Sequence, residues 1–495
     1  MLSEITIPLS PRSLADYQKF LAVKSLPKYR IHGGFATFPK QYASTVGVRT
    51  RKAEAANDYC PIPGLFDYQR DIARMAVERR KFAVFADCGL GKTLVMTEFA
   101  RHAADAIGKR RSVLIVSPSM VVPQTIAEWS RFYDDTPPRF IRAKDLPKWC
   151  ATSRGEIGIT NYEALDADVP QGNLGALLLD ESSMLKSHYG AWGRECIRLG
   201  RGLDWKLCLT GTPAPNDRIE YANHAVFLDH FPTVNSFLAR FFINRGQTNE
   251  RWELKPHAMK PFYRALSHWC IFLTNPATYG WKDNCRTIPP IRVHIHEIPL
   301  TKAQRDAVGD MSGQMFVDQI GGIGSRQRLG RLAKGDHNGE SIESNKPAFI
   351  KSLLDSWPDE STLIWCIYNR EQDAMAELFP FAASISGDTD DDKRLDMVNG
   401  FKAGDPRILI SKPRILGFGL NLQIATRQVF SGLQDSYESY YQAVKRSNRV
   451  GSTKPLDVHI PITEIEAPMV ETVLRKARMV EADTKAQEEM FRAAV

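Results

Sequence analysis

The sequence predicts an α/β protein made of two parallel sheets in tandem, each covered by helices on both faces, with a helical insertion between them. Three observations carry this. Short apolar runs without polar alternation recur through residues 82–209 and again through 362–460, separated by stretches of helical periodicity; strands buried on both faces look like this. Between the two series, residues 227–281 are aromatic-rich and helical, without clear strands. At 495 residues the chain exceeds what one hydrophobic core serves, so two or three domains are expected.

Taken in order, residues 1–58 form an extension with scattered Lys and Arg and a Gly33-Gly34 break. A helix is expected over Ala15–Ser25, and the rest reads as extended or irregular. No chemistry is legible there, and docking or positioning is its expected role. Residues 59–235 form the first α/β domain. Cys60-Pro-Ile-Pro-Gly64 is a linker, and Leu65-Phe-Asp-Tyr-Gln69 leads into a helix carrying Ile72, Met75 and Ala76. Strands follow at Phe82–Phe85, Ser112–Val116, Ile157–Thr160, Ala176–Leu179 and Leu207–Leu209. Residues 236–300 are the helical insertion and linker. Residues 301–465 form the second α/β domain, with strands at Thr362–Ile367, Ala383–Ile385, Arg407–Ile410, Gln428–Phe430 and Asp457–Ile460. A C-terminal helix fills 466–495.

Composition excludes some classes. With 43% apolar residues and no 18-residue apolar run, no membrane span is expected. The start, Met-Leu-Ser-Glu-Ile-Thr, lacks the basic and apolar regions of a signal peptide. The eight cysteines form no Cys-x-x-Cys pair, and Cys208 and Cys366 lie in apolar runs, so buried thiols in a reducing cytoplasm are expected rather than disulfides or zinc. A net charge of +8 is compatible with nucleic-acid binding.

The chemistry concentrates after the first strand. There the chain runs through Gly89, Leu90, Gly91, Lys92 and Thr93 into a helix with Val95, Met96, Phe99 and Ala100. Strand, glycine loop, Lys-Thr and helix describe a phosphate cradle. Backbone N–H groups must approach phosphate oxygens where a Cβ would obstruct, and the helix N-terminus adds positive dipole. Lys92 supplies a mobile ammonium and Thr93 a hydroxyl for Mg2+. Ala86 stands where the fuller pattern has glycine.

Asp180 and Glu181 end the apolar run Ala176–Leu179, which lifts two carboxylates to a sheet's carboxyl edge. Asp180 suits Mg2+, and Glu181 suits the positioning or activation of water. Thr210, Gly211 and Thr212 follow another apolar run, where the hydroxyls can couple the carboxylates to a moving partner. In the second domain, Gln442, Arg446 and Arg449 are expected on one helical face, with guanidinium groups suited to phosphoryl charge.

These residues resemble helicase superfamily two and, within it, the Swi/Snf-like group, over roughly residues 60–480. Leu65-x-x-Tyr68-Gln69 looks like the adenine-sensing glutamine motif. Ala86 to Thr93 is similar to motif I, in which Ala also replaces Gly. Ser117-Pro118 with Trp129, and Thr160-Asn161-Tyr162-Glu163, resemble the strand-tracking motifs. Asp180-Glu181-Ser182-Ser183 with Lys186 resembles the Asp-Glu box, and Leu209 to Pro213 with Asn216 resembles motif III. In the second domain, Ile364 to Asn369, Gly417 to Gln423 and Gln442 to Gly451 look like motifs IV, V and VI. The wording Ser411-Lys-Pro413 and Asp435 to Gln442 resembles the phage and prophage branch. Lys445, Ser452, Pro413 and Leu416 depart from the group's pattern at positions of coupling and DNA contact more than of phosphate chemistry.

The resemblance implies two RecA-like lobes and a DNA-dependent ATPase using ATP and Mg2+. ATP would engage Gln69, Gly89, Leu90, Gly91, Lys92, Thr93, Gly417 and Gln442; Lys92, Asp180, Glu181, Arg446 and Arg449 would be catalytic, and Thr93 and Asp180 would hold Mg2+. Thr210, Gly211 and Thr212 would couple the lobes. Ser117, Pro118, Thr160, Asn161, Tyr162, Asn369 and Arg414 would contact DNA, with duplex favoured over single strands. Translocation or remodelling of protein–DNA complexes in phage replication, recombination or repair is the expected work, with phage or host proteins as further partners. The expected compartment is the cytoplasm, of a bacterial host if phage-encoded. A strand-separating DNA or RNA helicase and an ATP-gated scaffold are the alternatives.

Other residues read as ordinary structure. His294 and His296 share a strand face without a third ligand nearby. Trp252, Phe262, Tyr263, Trp269, Phe272, Tyr279 and Trp281 read as core packing before base stacking. Lys334, Lys346 and Lys351 read as solvated surface.

Overall fold

Each apolar run of the two series becomes a strand of one of two parallel sheets. The computed structural model describes all residues except 1–3, 11–12, 49–58, 167, 186–189, 247–250, 284–287, 316–322, 417–419, 434–435, 450 and 495. Two units divide the chain: Met1–Asn284 with Val480–Val495, and Cys285–Met479.

The first unit opens with β1 (Glu4–Pro8), α1 (Leu14–Ser25), β2 (Arg30–His32) and β3 (Phe35–Pro39). The expected helix is present, capped by Ser13 Oγ accepting from Asp16 N. The remainder, expected as extended or irregular, includes an antiparallel sheet in the order β1-β3-β2. Its core of Val23, Leu26, Ala36, Phe38, Tyr42 and Val46 is its own. The strands are three to five residues long and stop at or just before Pro or Gly, so they carry little pattern.

Next come α2 (Asp67–Arg79), β4 (Lys81–Ala86), α3 (Lys92–Ile107), β5 (Ser112–Ser117), α4 (Val122–Phe132), β6 (Arg139–Phe140), α5 (Leu146–Thr152), β7 (Ile157–Asn161), β8 (Leu174–Leu179), α6 (Ala191–Leu199) and β9 (Trp205–Thr210). They are followed by α7 (Tyr221–Phe227), α8 (Val234–Phe241), the hairpin β10 (Phe242–Asn244) and β11 (Trp252–Leu254), α9 (Met259–Ser267) and β12 (Cys270–Leu273). The sheet order is β12-β4-β9-β8-β5-β7-β6, with every pairing among the described residues parallel. Residues of β5, β8 and β9 are buried throughout, which explains the missing polar alternation.

One stretch differs from expectation. Residues 227–281, expected without strands, contain the β10–β11 hairpin and β12, whose Cys-Ile-Phe-Leu pairs with β4 and closes that side of the sheet. Four apolar residues inside an aromatic-rich region give no periodicity to separate strand from helix. Phe262, Tyr263, Trp269 and Phe272 are buried in this core and Trp252 packs against it; Tyr279 and Trp281 are half-buried. Core packing therefore accounts for the aromatics.

The second unit holds β13 (Ile291–Glu297), α10 (Lys302–Met315), α11 (Ile323–Leu332), the short pair β14 (Asp336–His337) and β15 (Glu340–Ser341), α12 (Asn345–Asp355), β16 (Thr362–Trp365), α13 (Asn369–Leu378) and β17 (Ala383–Ser384). It continues with α14 (Asp391–Ala403), β18 (Ile408–Ser411), α15 (Pro413–Leu416), β19 (Arg427–Phe430), α16 (Tyr437–Val444) and β20 (Leu456–Ile462). The sheet order is β13-β20-β19-β16-β18-β17, again parallel throughout among the described residues. Last, α17 (Ala467–Ala494) begins in the second unit and ends in the first. There Asp483 accepts from Arg218 Nε at 2.8 Å and from Tyr263 Oη at 2.8 Å, and Glu488 accepts from Thr274 N and Oγ1.

Lys351 is exposed and paired with Asp355, but Lys334 and Lys346 are not the solvated surface expected. Both are buried around Glu466, Lys334 Nζ at 2.6 Å and Lys346 Nζ at 2.5 Å from its carboxylate oxygens. Lys346 also donates to Ser431 O, and Thr463 N and Oγ1 donate to the same carboxylate. Sequence spacing did not reveal this, because Glu466 lies over a hundred residues away from either lysine. Burial alone would raise the Glu466 carboxyl, but Lys334 and Lys346 hold it down at about 2.

Glu466→Ala leaves two buried ammonium groups without counter-charge, so a loss of about 3–5 kcal/mol is expected, read as a lower denaturant midpoint. Replacing Lys334, Lys346 and Glu466 together by Met should cost much less, because the charges then leave together. Because the folded carboxyl is depressed, its contribution is complete above the ordinary glutamate range and is lost as pH falls through about 2. Wild-type and triple-variant acid denaturation curves should therefore diverge as pH falls below about 4.5.

Candidate nucleotide-binding site

The site forms where β4, β5, β8 and β9 end together at the carboxyl edge of the first sheet. After β4 the loop turns through Gly89 at φ +85 and Gly91 at φ +69, left-handed conformations that glycine adopts without cost. A Cβ on Gly91 would overlap Gln69 Nε2. Gln69 itself is buried. Its Oε1 accepts from Phe66 N at 3.0 Å, closing the start of α2, and its Nε2 donates to Leu90 O at 3.3 Å. Tyr68 Oη donates to the same carbonyl. Gln69 thus ties the helix start to the loop that must receive phosphate. Beside it, Phe66 is 48% exposed and stacked on Tyr68, an aromatic face at the site that motif spacing did not single out.

Lys92 and Thr93 open α3. The Lys92 ammonium donates to Ala86 O at 2.9 Å and Asp87 O at 3.4 Å, so it rests on the loop's own carbonyls. A phosphate is a stronger acceptor than a carbonyl, so the ammonium can exchange one for the other.

Asp180 follows β8 directly and is buried. Ser117 Oγ donates to its Oδ2 at 2.8 Å and Glu181 N to its Oδ1 at 3.1 Å, while Tyr162 Oη donates to its main-chain carbonyl. Burial and the neighbouring Glu181 raise its carboxyl to about 6, against the lowering pull of Ser117 and Lys92. Glu181 adopts φ +47, unusual for a residue with a Cβ and worth roughly 1–3 kcal/mol of strain. That twist turns the second carboxylate toward β9, where Thr210 Oγ1 donates to its Oε2 at 3.2 Å. Thr210 Oγ1 also accepts from Thr212 N. Gly211 lies against the phosphate loop, since a Cβ there would stand 3.7 Å from Lys92 Nζ and 3.5 Å from Ala86 O. The loop after β9 therefore touches both the carboxylate pair and the cradle.

The expected nucleic-acid contacts divide. The side chains of Ser117, Thr160 and Tyr162 are fully buried, and their hydroxyls serve Asp180, Ile141 O and Asp180 O. They are not surface on which a strand can lie, which corrects that expectation. They hold the edge on which the site is built. Pro118 is also buried. Asn161 is half-buried and caps Ala164 N. Asn369 and Arg414 are exposed at the carboxyl edge of the second sheet, and Asn369 Oδ1 accepts from Lys412 Nζ.

In the second unit, Gln442 is buried on α16, but the helix stops at Val444. Arg446 and Arg449 fall in the turns that follow, so the three do not share one helical face as expected. Arg446 N and Ser447 N bond back to Ala443 O and Val444 O, and Leu422 N takes Arg446 O, so the chain is drawn off the helix axis. Arg446 is buried, and its Nε and Nη2 have no hydrogen-bond partner among the described residues. A buried guanidinium left this way is costly unless an anion meets it. Gly417 and Lys186 lie outside the described residues.

Among the described residues no cluster of three or more His, Cys, Asp or Glu could hold a metal, His294 and His296 included. His294 Nε2 instead meets Asp457 Oδ1, and His296 Nε2 meets His459 Nδ1. Of the cysteines described, Cys60 is exposed and Cys88 half-buried; the other five are buried, and none forms a disulfide. No helix among the described residues is long and apolar enough to cross a membrane.

Residues 68–308 match the SNF2-related domain, and residues 345–451 match the helicase conserved C-terminal domain. The chain belongs to the Swi/Snf-like group of helicase superfamily two. It is an ATP-hydrolysing enzyme, and its two sheets are the RecA-like lobes of that superfamily. Neither match bears on a phage or prophage branch. A solved structure, the Sulfolobus solfataricus SWI2/SNF2 ATPase core in complex with dsDNA, is similar over 89% of this chain and 97% of its own, at 17% identity and TM-score 0.40. No curated protein matches the chain.

Thr210→Val removes a donor to the Glu181 carboxylate without emptying the fold. Hydrogen bonds to charged groups contribute about 1.5–3 kcal/mol, so ATP turnover should fall roughly 10–100-fold with nucleotide affinity nearly unchanged. Turnover and equilibrium binding of a fluorescent ATP analogue check this. Equal loss in both would show that Thr210 shapes binding instead.

Proposed function

We propose that this Swi/Snf-like enzyme is a DNA-dependent ATPase that couples hydrolysis to translocation on duplex DNA or to remodelling of protein–DNA complexes. The observation that carries the proposal is the joined carboxyl-edge assembly, in which Lys92 rests on the phosphate loop, Asp180 is held by Ser117, and Glu181 is held by Thr210. Family membership supports DNA as the stimulating partner, and the net charge of +8 is consistent with it.

The residues' chemistry assigns the steps. Gly89, Leu90 and Gly91 offer backbone N–H groups to the β- and γ-phosphates, and Lys92 moves from the loop carbonyls to phosphate oxygen. Phe66 stacks on the adenine while Gln69 reports its presence to the loop. The hydroxyl of Thr93 and the carboxylate of Asp180 are hard oxygen donors of the kind Mg2+ takes, and that ion would neutralise phosphate charge there. Glu181, turned by its left-handed backbone, orients the attacking water and accepts its proton. Arg446 and Arg449 stabilise charge on the transferring phosphoryl group. Thr210, Gly211 and Thr212 transmit the state of the phosphates. Asn369 and Arg414 contact the DNA backbone. A phage setting, with phage or host replication and repair proteins as partners, is the fuller form of this reading and rests on the motif wording alone.

ATP turnover without nucleic acid, with duplex DNA, with single-stranded DNA and with RNA, at one salt concentration, tests it. Strong stimulation by duplex is expected, and Lys92→Ala and Glu181→Gln should abolish it. Stimulation mainly by single strands would favour a strand-separating helicase, and no stimulation would favour the scaffold. Full stimulated turnover in either variant would overturn the assignment of the site.

A further inference from the structure

The second sheet has a carboxyl edge of its own, and a cavity of roughly 240 Å3 opens there. Its place follows from topology. From β16 the chain moves out to β17, returns to β18, then crosses to β19 on the other side of β16. The direction of winding reverses between β16 and β19, and in open α/β sheets ligands bind at the carboxyl ends of strands at such a reversal. The cavity is lined by residues following β16 and β18, by the end of β19 and by the start of α16.

Its walls differ in chemistry. Phe430 and Tyr440 form an aromatic side, with ring centroids 5.1 Å apart and tilted by 52°. Lys412 and Arg414 also line it, the Lys412 ammonium resting on Asn369 Oδ1 and Arg414 exposed, and among the described lining residues there is no carboxylate. Ser439 adds a hydroxyl. Burial pushes the Tyr440 phenol up to about 12, so it stays a hydrogen-bond donor.

The floor is fixed. Gly432 lies directly on the buried Lys334–Glu466 pair, where any Cβ would overlap the ammonium and the carboxylate, and Lys346 holds Ser431 O at 2.7 Å. A rigid pocket with a ring-shaped apolar wall and a cationic side selects a planar group that carries a negative charge. The volume lies below the ~300–1,000 Å3 of drug-sized sites, so it admits one ring system and not a nucleoside triphosphate.

We propose that this cavity binds a single nucleotide, its base against Tyr440 and Phe430 and its phosphate at Lys412 and Arg414. Two sources supply that chemistry: a nucleotide turned out of a DNA strand, or a free mononucleotide acting as effector. The first source rests on the DNA reading above, and the second does not.

Photocrosslinking with 5-iodouracil separates them. The full chain is irradiated with a 5-iododeoxyuridine-substituted duplex, with the corresponding single strand, or with free 5-iodo-dUMP, and the attachment site is mapped by mass spectrometry. DNA binding is followed in parallel by fluorescence anisotropy. A crosslink at Tyr440 or Phe430 that excess ATP does not suppress is expected, and the probe that gives it names the source. Ser439→Phe, which fills the cavity and so keeps the base out, should lower the yield at least about tenfold, as should Tyr440→Leu, which removes a base–aromatic contact. Both variants should keep the wild-type melting temperature and unstimulated ATP turnover. If one fails to fold, the other decides.

DNA bound by anisotropy without crosslinks at these residues, together with no crosslink from free 5-iodo-dUMP, would overturn the proposal. Crosslinks equal in wild type and in the folded variant would overturn it too. Absence of DNA binding would count against the DNA reading, and the free-nucleotide arm would then decide the cavity alone.

Discussion

The constraint on which the molecule depends is that parallel strands finish at the same edge. A buried parallel sheet satisfies its backbone only between strands, so each strand must be apolar on both faces and polar residues are driven to its ends. In the first sheet this gathers the loop after β4, Ser117 at the end of β5, Asp180 and Glu181 after β8 and Thr210 at the end of β9, where Ser117 bonds Asp180 and Thr210 bonds Glu181. The chemistry is a by-product of where such strands are allowed to stop. The second sheet obeys the same rule, and it too gathers its polar groups, Asn369 and Lys412 among them, at the carboxyl edge.

This explains what was legible in the sequence. Strands such as Ser112–Ser117 and Leu174–Leu179 announce themselves because two-sided burial leaves their interiors apolar without alternation. The residues that follow are then read at known strand ends, so Lys92, Asp180, Glu181 and Thr210 could be named from spacing. Contacts across the fold were not legible. That Ser117 holds Asp180, or that Lys334 and Lys346 share Glu466, depends on which elements become neighbours, and no local period records it. Short elements failed for a different reason: β12 and the three N-terminal strands have too few residues to show alternation against their surroundings. The end of α16 at Val444 was missed because Lys445 and Arg446 are ordinary helix formers, although Ser447 and Asn448 beyond them favour turns, and the bond from Leu422 N to Arg446 O is a contact that no local period records.

The second lobe treats buried charge in two opposite ways. Around Glu466 both carboxylate oxygens are fully engaged, the positive groups are its neighbours, and the result is a rigid floor. At Arg446 two guanidinium nitrogens are buried without any partner among the described residues. The first arrangement is complete in the protein alone and serves stability. The second is complete only when an anion arrives, so its desolvation cost is carried by the protein in advance and returned when the anion binds.

The C-terminal helix has a consequence for how the protein is made. Asp483, Gln487, Glu488 and Phe491 are buried parts of the first unit, bonded to Arg218, Tyr263 and Thr274, although they are among the last residues of the sequence. During synthesis the first lobe therefore emerges with Tyr263 and Arg218 uncovered, and it stays so until Asp483 follows, 220 residues after Tyr263. A chain cut near residue 480 would leave Arg218, Tyr263 and Thr274 without these partners, although the cut falls in neither sheet.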